Sequence, residues 1–120
     1  SDVYKRQMKY SESLKKNKDF QLVYKCGKSY ANKYLVMYIK ENNTRKNRLG
    51  ISVSKKVGNS IVRHRLTRLI RESYRLQEDR FRCGIDIVVI ARIGAKGRTY
   101  KDIESALLHL GRLHEIIDLG

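Results

Sequence analysis

The chain has 120 residues, of which 27 are lysine or arginine and 12 are acidic, giving a formal net charge of +15 with 41% hydrophobic residues. That length and composition fit one domain able to bury a core without disulfide or metal staples. No apolar run approaches the roughly 18 residues of a spanning helix, and no signal-peptide pattern opens the chain, so the partner of so much positive charge is expected to be nucleic acid rather than lipid.

The first seven residues, SDVYKRQ, show no useful periodicity and are read as a disordered or non-native extension; residues 8–120 are read as one nucleic-acid-binding domain. Asn17 to Lys25 is a short helix with Gly27 as its C-cap. Tyr34 to Ile39 and Arg48 to Ser54 alternate and read as strands, with Glu41 to Asn47 as the loop between them. Gly84 to Ala91, GIDIVVIA, is nearly continuously apolar, as suits a central strand buried on both faces. Thr99 to Ile117 places Ile103, Ala106, Leu107, Leu110, Leu113 and Ile117 at helical spacing, with Thr99 and Asp102 as a cap. The fold class is therefore α+β, helices packed on one sheet. Cys26 and Cys83 lack a partner motif and are read as reduced thiols, which together with the absence of a signal peptide places the protein in the cytoplasm.

Between the second and third of those strands lies the most informative segment, Ser52 to Glu72, SVSKKVGNSIVRHRLTRLIRE. It runs from strand through a Gly-Asn turn into a helix capped near Asn59 or Ser60 and reaching about Leu76. With Ile61 at 0° and 100° per residue, Val62, Leu66, Leu69 and Ile70 fall between roughly 80° and 180°, a core-facing arc. His64, Arg68, Arg71 and Arg75 fall between about 280° and 340°, with Arg65 not far beyond. From Lys55 to Arg75 there are two lysines and five arginines against one acid, Glu72. Such a helix is built to lie along an anion, and the arginine bias favours forked contacts to phosphate.

The strands add a second feature. One face of the sheet suffices for the core, so the other exposes Tyr34, Val36 and Tyr38 beside small residues Gly50, Ser52 and Ser54. Phe20 and Tyr24, at i and i+4 of the first helix, can wall the resulting groove. Rings beside basic residues make a platform for single-stranded nucleic acid. The competing reading treats Phe20, Tyr24 and Tyr38 as ordinary core or edge-of-core residues.

These residues carry a resemblance. SVSKKVGNSIVRHRLTRLIRE resembles the signature of the bacterial ribonuclease P protein component, a strand-turn-helix centred on an Arg-x-Arg pair, and Leu14 to Tyr38, LKKNKDFQLVYKCGKSYANKYLVMY, is similar to that family's amino-terminal segment. His64 stands where the family's pattern has asparagine. The resemblance implies an αβββαβα sandwich on a four-stranded sheet, related to domain IV of elongation factor G, with a left-handed crossover against the usual rule. It also implies a short extra strand around Lys28 to Ala31. The implied job is to join a catalytic RNA in removing the 5′ leader of precursor tRNA, with the RNA and its Mg²⁺ doing the chemistry, no tightly bound cofactor of the protein's own and no obligate protein partner. Lys55, Lys56, Asn59, Arg63, His64, Arg65, Arg68 and Arg71 would contact the catalytic RNA. Phe20, Tyr24, Lys33 and Tyr38 would line the leader cleft. The Glu41 to Asn47 loop can gather metal ions in that family, with ligands unassigned here.

No catalytic residue is expected in the protein itself. Its acids are scattered, whereas a protein nuclease needs clustered carboxylates for metals or positioned acid and base groups. His64 is read as a surface contact among arginines, and His109 and His114, five apart, as exposed or half-buried residues of the last helix. Two other function classes are weighed: a structural RNA-scaffold protein of ribosomal type, which explains the charge but gives no reason for an open aromatic groove, and an autonomous metal-dependent endonuclease, which needs clustered acids that the sequence does not offer.

Overall fold

The computed structural model describes residues 8–117, so the opening heptapeptide lies outside the described residues. In chain order the elements are β1 (Ser11–Ser13), α1 (Asn17–Cys26), β2 (Lys28–Ala31), β3 (Leu35–Glu41), β4 (Asn47–Ser52), α2 (Ser60–Gln77), β5 (Ile85–Ala91) and α3 (Tyr100–Leu113), with short 3-10 turns at Glu78–Arg80 and Ile93–Ala95. The strands form one sheet in the order β1-β4-β5-β3-β2. β5 is parallel to β4 and antiparallel to β3, and α2 makes the crossover between the adjacent strands β4 and β5.

The sheet has five strands rather than the expected four, because β1 adds itself parallel to β4. Nothing in Ser11–Ser13 favours a strand; a latch from the end of α2 holds it there. The Glu78 carboxylate accepts from the Lys9 and Tyr10 backbone N–H groups and from the Ser11 hydroxyl. Ser11 Oγ also lies 2.7 Å from the Tyr74 hydroxyl. Burying Glu78 and Tyr74 is tolerable only because these polar atoms find partners.

Strand alternation builds two cores of unequal size. Leu35, Met37 and Ile39, Leu49, and Ile85, Ile87 and Val89 point to one face, where Leu66, Ile70 and Tyr74 of α2 and Ile103, Leu107 and Leu110 of α3 cover them. Burying each such side chain contributes about 1.5–3 kcal/mol. The arc of α2 that packs is therefore the expected one, extended to Tyr74, while Ile61 is 77% exposed. On the opposite face α1 lays Val23 against Val88 and Leu14, with Phe20, Tyr24, Tyr38 and Ile90 half-buried around them.

Local chemistry sets the boundaries. Asn59 caps α2, its side chain accepting from Val62 N–H at 3.0 Å. Thr99 and Asp102 form a complete capping box on α3. α3 ends at Leu113 and not at Ile117: Glu115 turns the chain with φ 59°, and Ile117 returns to bridge Phe81. Ile117 thus keeps helical spacing without being helical. β4 starts at Asn47, one residue before the expected start at Arg48, and ends at Ser52 rather than Ser54. Gly27 does follow α1, but with extended φ and ψ rather than in the left-handed region. Its requirement is close approach, since a Cβ there would meet the Val23 carbonyl oxygen at 2.5 Å and that of Ile39 at 2.9 Å. Cys26 and Cys83 are exposed free thiols.

Candidate nucleic-acid interface

The aromatic groove is assembled by α1 and the uncovered part of the second sheet face. Phe20 and Tyr24 have ring centroids 6.3 Å apart, and Tyr24 meets Tyr38 of β3 edge-on at 5.1 Å. Gly50 makes room for this arrangement: a Cβ there would stand 2.6 Å from the Phe20 ring. Tyr24, Phe20, Gln21, Lys15, Ile51 and Ser52 border a shallow depression of about 360 Å³. Beyond it, Val36, Ile90 and Ser52 pair across three strands as a half-buried strip. Burial raises the Tyr24 phenol above its ordinary pKa, against the opposing effect of a hydrogen bond with Ser52.

An ion network centred on one buried carboxylate, not anticipated from the sequence, links α1 to this face. Asp86 on β5 is 2% exposed and receives Arg48 Nε at 2.8 Å and Nη2 at 2.6 Å, a two-pronged pair. Asn42 Nδ2 adds a third bond at 2.9 Å, and Arg48 Nη1 reaches Asp19 of α1 at 3.4 Å. Burial works to raise the Asp86 pKa, but Arg48 and Asn42 outweigh it and hold the carboxyl below its ordinary value. Asp19 precedes Phe20, so the network sets where the first ring stands. The only sequence signal was the single acid in an otherwise apolar strand.

The basic helix lies on the other side of the sheet. Lys55 and Lys56 are exposed in the turn leading to α2, and His64, Arg65 and Arg68 are exposed on it. Arg71 is half-buried. Arg75 is ion-paired with Glu72 one turn back and so contributes little free charge. Arg63 departs from its neighbours: it is half-buried, and its buried Nε has no hydrogen-bond partner among the described residues. Asn59 uses its side-chain oxygen in the cap and keeps its amide N–H groups as donors for a ligand. Arg65 donates to the Arg98 carbonyl at 2.9 Å, which ties α2 to the loop before α3.

Lys33 is not among the groove rings. It sits on the turn between β2 and β3 with its ammonium 5.1 Å from the Tyr34 ring centroid, beside Asn32 and the α3 residues Ala106 and His109. His109 is exposed, whereas His114 is half-buried with Nε2 2.8 Å from the Met37 carbonyl. Burial, aided by Lys28, lowers the His114 pKa.

Among the described residues, no group of three or more His, Cys, Asp or Glu is placed to hold a metal. The loop between β3 and β4 does not fit one either. Its Asn42 side-chain oxygen accepts from Thr44 N and Oγ1, Lys46 pairs with Glu12, and Glu41 is held by Arg82. A cation there would have to displace those bonds and face Arg45 and Lys46.

The profile of the family described as Ribonuclease P matches residues 8–114, across both the groove and the basic helix. The chain belongs to the ribonuclease P protein family. The ribonuclease P protein component of Lachnoclostridium phytofermentans is 64% identical over 107 residues, which is 89% of this chain and 92% of that protein. The RNase P protein of Staphylococcus aureus superposes with a TM-score of 0.83 at 39% identity, covering 90% of this chain and 99% of that one. The Thermotoga maritima RNase P protein gives a TM-score of 0.77 at 35% identity, over 84% and 96%. The mixed α+β sandwich is thus shared with ribonuclease P proteins from distant bacteria.

Proposed function

We propose that this chain is the RNA-binding subunit of a ribonuclease P, holding a catalytic RNA on one side and the single-stranded 5′ leader of precursor tRNA on the other. The observation that carries the reading is the pairing of two surfaces on opposite sides of one sheet. The exposed cations of α2 and its preceding turn face one way, and the Phe20–Tyr24–Tyr38 groove faces the other. The cations serve phosphates, and the rings offer stacking surfaces indifferent to base identity. The protein acts cytoplasmically as an accessory to endonucleolytic tRNA maturation. Among the described residues no helix is long and apolar enough to cross a membrane.

The chemistry is assigned to the RNA and its Mg²⁺. Five of the carboxylates are engaged within the fold: Asp86 and Asp19 with Arg48, Asp102 in the α3 cap, Glu78 in the β1 latch, and Glu104 with the Tyr100 hydroxyl. That last bond and burial push the Tyr100 pKa up to about 12, with burial the larger cause.

Salt dependence tests the α2 surface. Each phosphate neutralised contributes about −0.7 to −0.9 to the log–log slope of affinity against salt. The double variant Arg65→Ala, Arg68→Ala should weaken binding of the catalytic RNA and flatten the slope by roughly 1.4–1.8 in filter-binding titrations. Its melting temperature should stay close to the parent's, because Arg68 is exposed and Arg65 gives up one surface hydrogen bond. An unaltered slope would remove α2 from the interface.

A further inference from the structure

We propose that the loop joining β5 to α3, together with Lys33, forms a phosphate-binding ledge that extends the α2 surface along the same catalytic RNA. The inference rests on the RNA-binding reading of α2. From Arg92 to Lys101 the chain carries Arg92, Lys96, Arg98 and Lys101 and no acid. Lys33 joins them through space. Its ammonium lies 5.1 Å from the Tyr34 ring centroid, and the Arg98 guanidinium lies 5.2 Å from the same centroid. One half-buried ring, seated against the main core, thus positions two exposed cations from distant parts of the chain.

Three observations separate this ledge from charge kept merely for solubility. First, it is built. Arg92 Nη1 donates to the Asn32 carbonyl at 2.7 Å, and Asn32 Nδ2 donates to the Ala106 carbonyl at 2.9 Å. The turn carrying Lys33 is thereby pinned to the β5–α3 loop and to α3. Second, its charge is uncompensated: among the described residues Lys33, Lys96 and Arg98 are in no ion pair, and the nearby Asp102 carboxylate is engaged by the Thr99 backbone. Third, it is continuous with α2, because Arg65 donates to the Arg98 carbonyl at 2.9 Å. A phosphate run leaving Arg68 and Arg65 meets Arg98 next and then Lys33. With two cations about 5 Å from its centroid and its ring half-buried against the core, Tyr34 serves to seat charge, so the ledge suits backbone phosphates rather than stacked bases.

This assigns Lys33 to the catalytic RNA and not to the leader groove, and it can be tested on the assembled complex. The triple variant Lys33→Ala, Lys96→Ala, Arg98→Ala keeps the Arg98 carbonyl that anchors Arg65. Filter binding of the catalytic RNA across a salt series should show weaker affinity and a slope flattened by roughly 2. The preference of the holoenzyme for precursor over mature tRNA should not change. If the slope stays at the parent value while Arg68→Ala still flattens it, the ledge is refuted and the α2 reading stands. If neither variant alters the slope, the α2 reading itself fails. If instead RNA affinity is retained and the preference for precursor tRNA drops, Lys33 serves the leader and the ledge is likewise refuted. Circular dichroism melts check the fold. Should the alanine variant not fold, Lys33→Gln with Lys96→Gln and Arg98→Gln retains the aliphatic stems over Tyr34 and is read by the same criteria.

Discussion

Replacing Arg48 with methionine should destabilise the protein by about 2–3 kcal/mol, less than the roughly 3–5 kcal/mol of a fully buried pair because the Arg48 side chain is 34% exposed while Asp86 is buried. Asp86, at 2% exposure, would keep Asn42 as its remaining side-chain partner. The pH dependence identifies the cause. In the parent, Arg48 and Asn42 hold the Asp86 pKa below its ordinary value against the opposing effect of burial. A group with a depressed folded-state pKa contributes stability above its unfolded value, about 3.9, and loses it as pH falls through the lower folded value. In Arg48→Met, burial prevails and Asp86 protonates more readily, so the penalty should be greatest at neutral pH and shrink in acid. The double variant Arg48→Met, Asp86→Leu removes both charges and should recover most of the loss. Chemical denaturation at neutral and acidic pH would show it. A penalty independent of pH would mean that the lost packing of the arginine stem, and not the stranded carboxylate, is responsible.

The groove should show its effect only when a leader is present. Phe20→Leu and Tyr38→Leu keep an apolar side chain over Gly50 and Val88 but remove the stacking face. Each should weaken precursor tRNA binding to the holoenzyme by about 1–3 kcal/mol per unstacked base. Mature tRNA, which lacks the leader, should bind almost as before. The difference between the two substrates isolates the rings from any general effect on assembly. Equal losses on both, or a lowered melting temperature of matching size, would make these rings core residues alone.

The parts of this architecture that were legible in the sequence are those governed by local periodicity. α2 was readable because its apolar arc and its cap lie within one continuous stretch, and the exposed Ile61 only marks where the arc ends. β5 was readable because strands buried on both faces are apolar throughout. The parts that could not be read depend on contacts between residues far apart. β1 is three polar residues held by Glu78 and Tyr74, more than sixty positions away. Arg48 and Asp86 face one another only because β4 and β5 are parallel neighbours in one register. Lys33 enters the expected leader cleft only through the family resemblance, since alternation along β3 says nothing of a residue in the turn before it. The structure turns that side chain toward Tyr34 and α3. Ile117 keeps helical spacing from α3 yet belongs to a returning segment, since spacing carries no record of the turn at Glu115.

The central claim is that this protein binds RNA while the RNA performs the cleavage, and single-turnover cleavage of precursor tRNA tests it most directly. Protein alone should release no leader. Catalytic RNA alone should cleave slowly in high Mg²⁺, and the two together should cleave quickly at lower Mg²⁺. His64, exposed among the arginines of α2, is the one side chain whose chemistry could suggest otherwise. A positioned acid or base typically contributes 10²-fold or more. His64→Ala should instead leave the cleavage step near the parent rate once the RNA is saturating, and His64→Asn should be as active as the parent. Release of the leader by RNA-free protein, abolished in His64→Ala, would contradict the account.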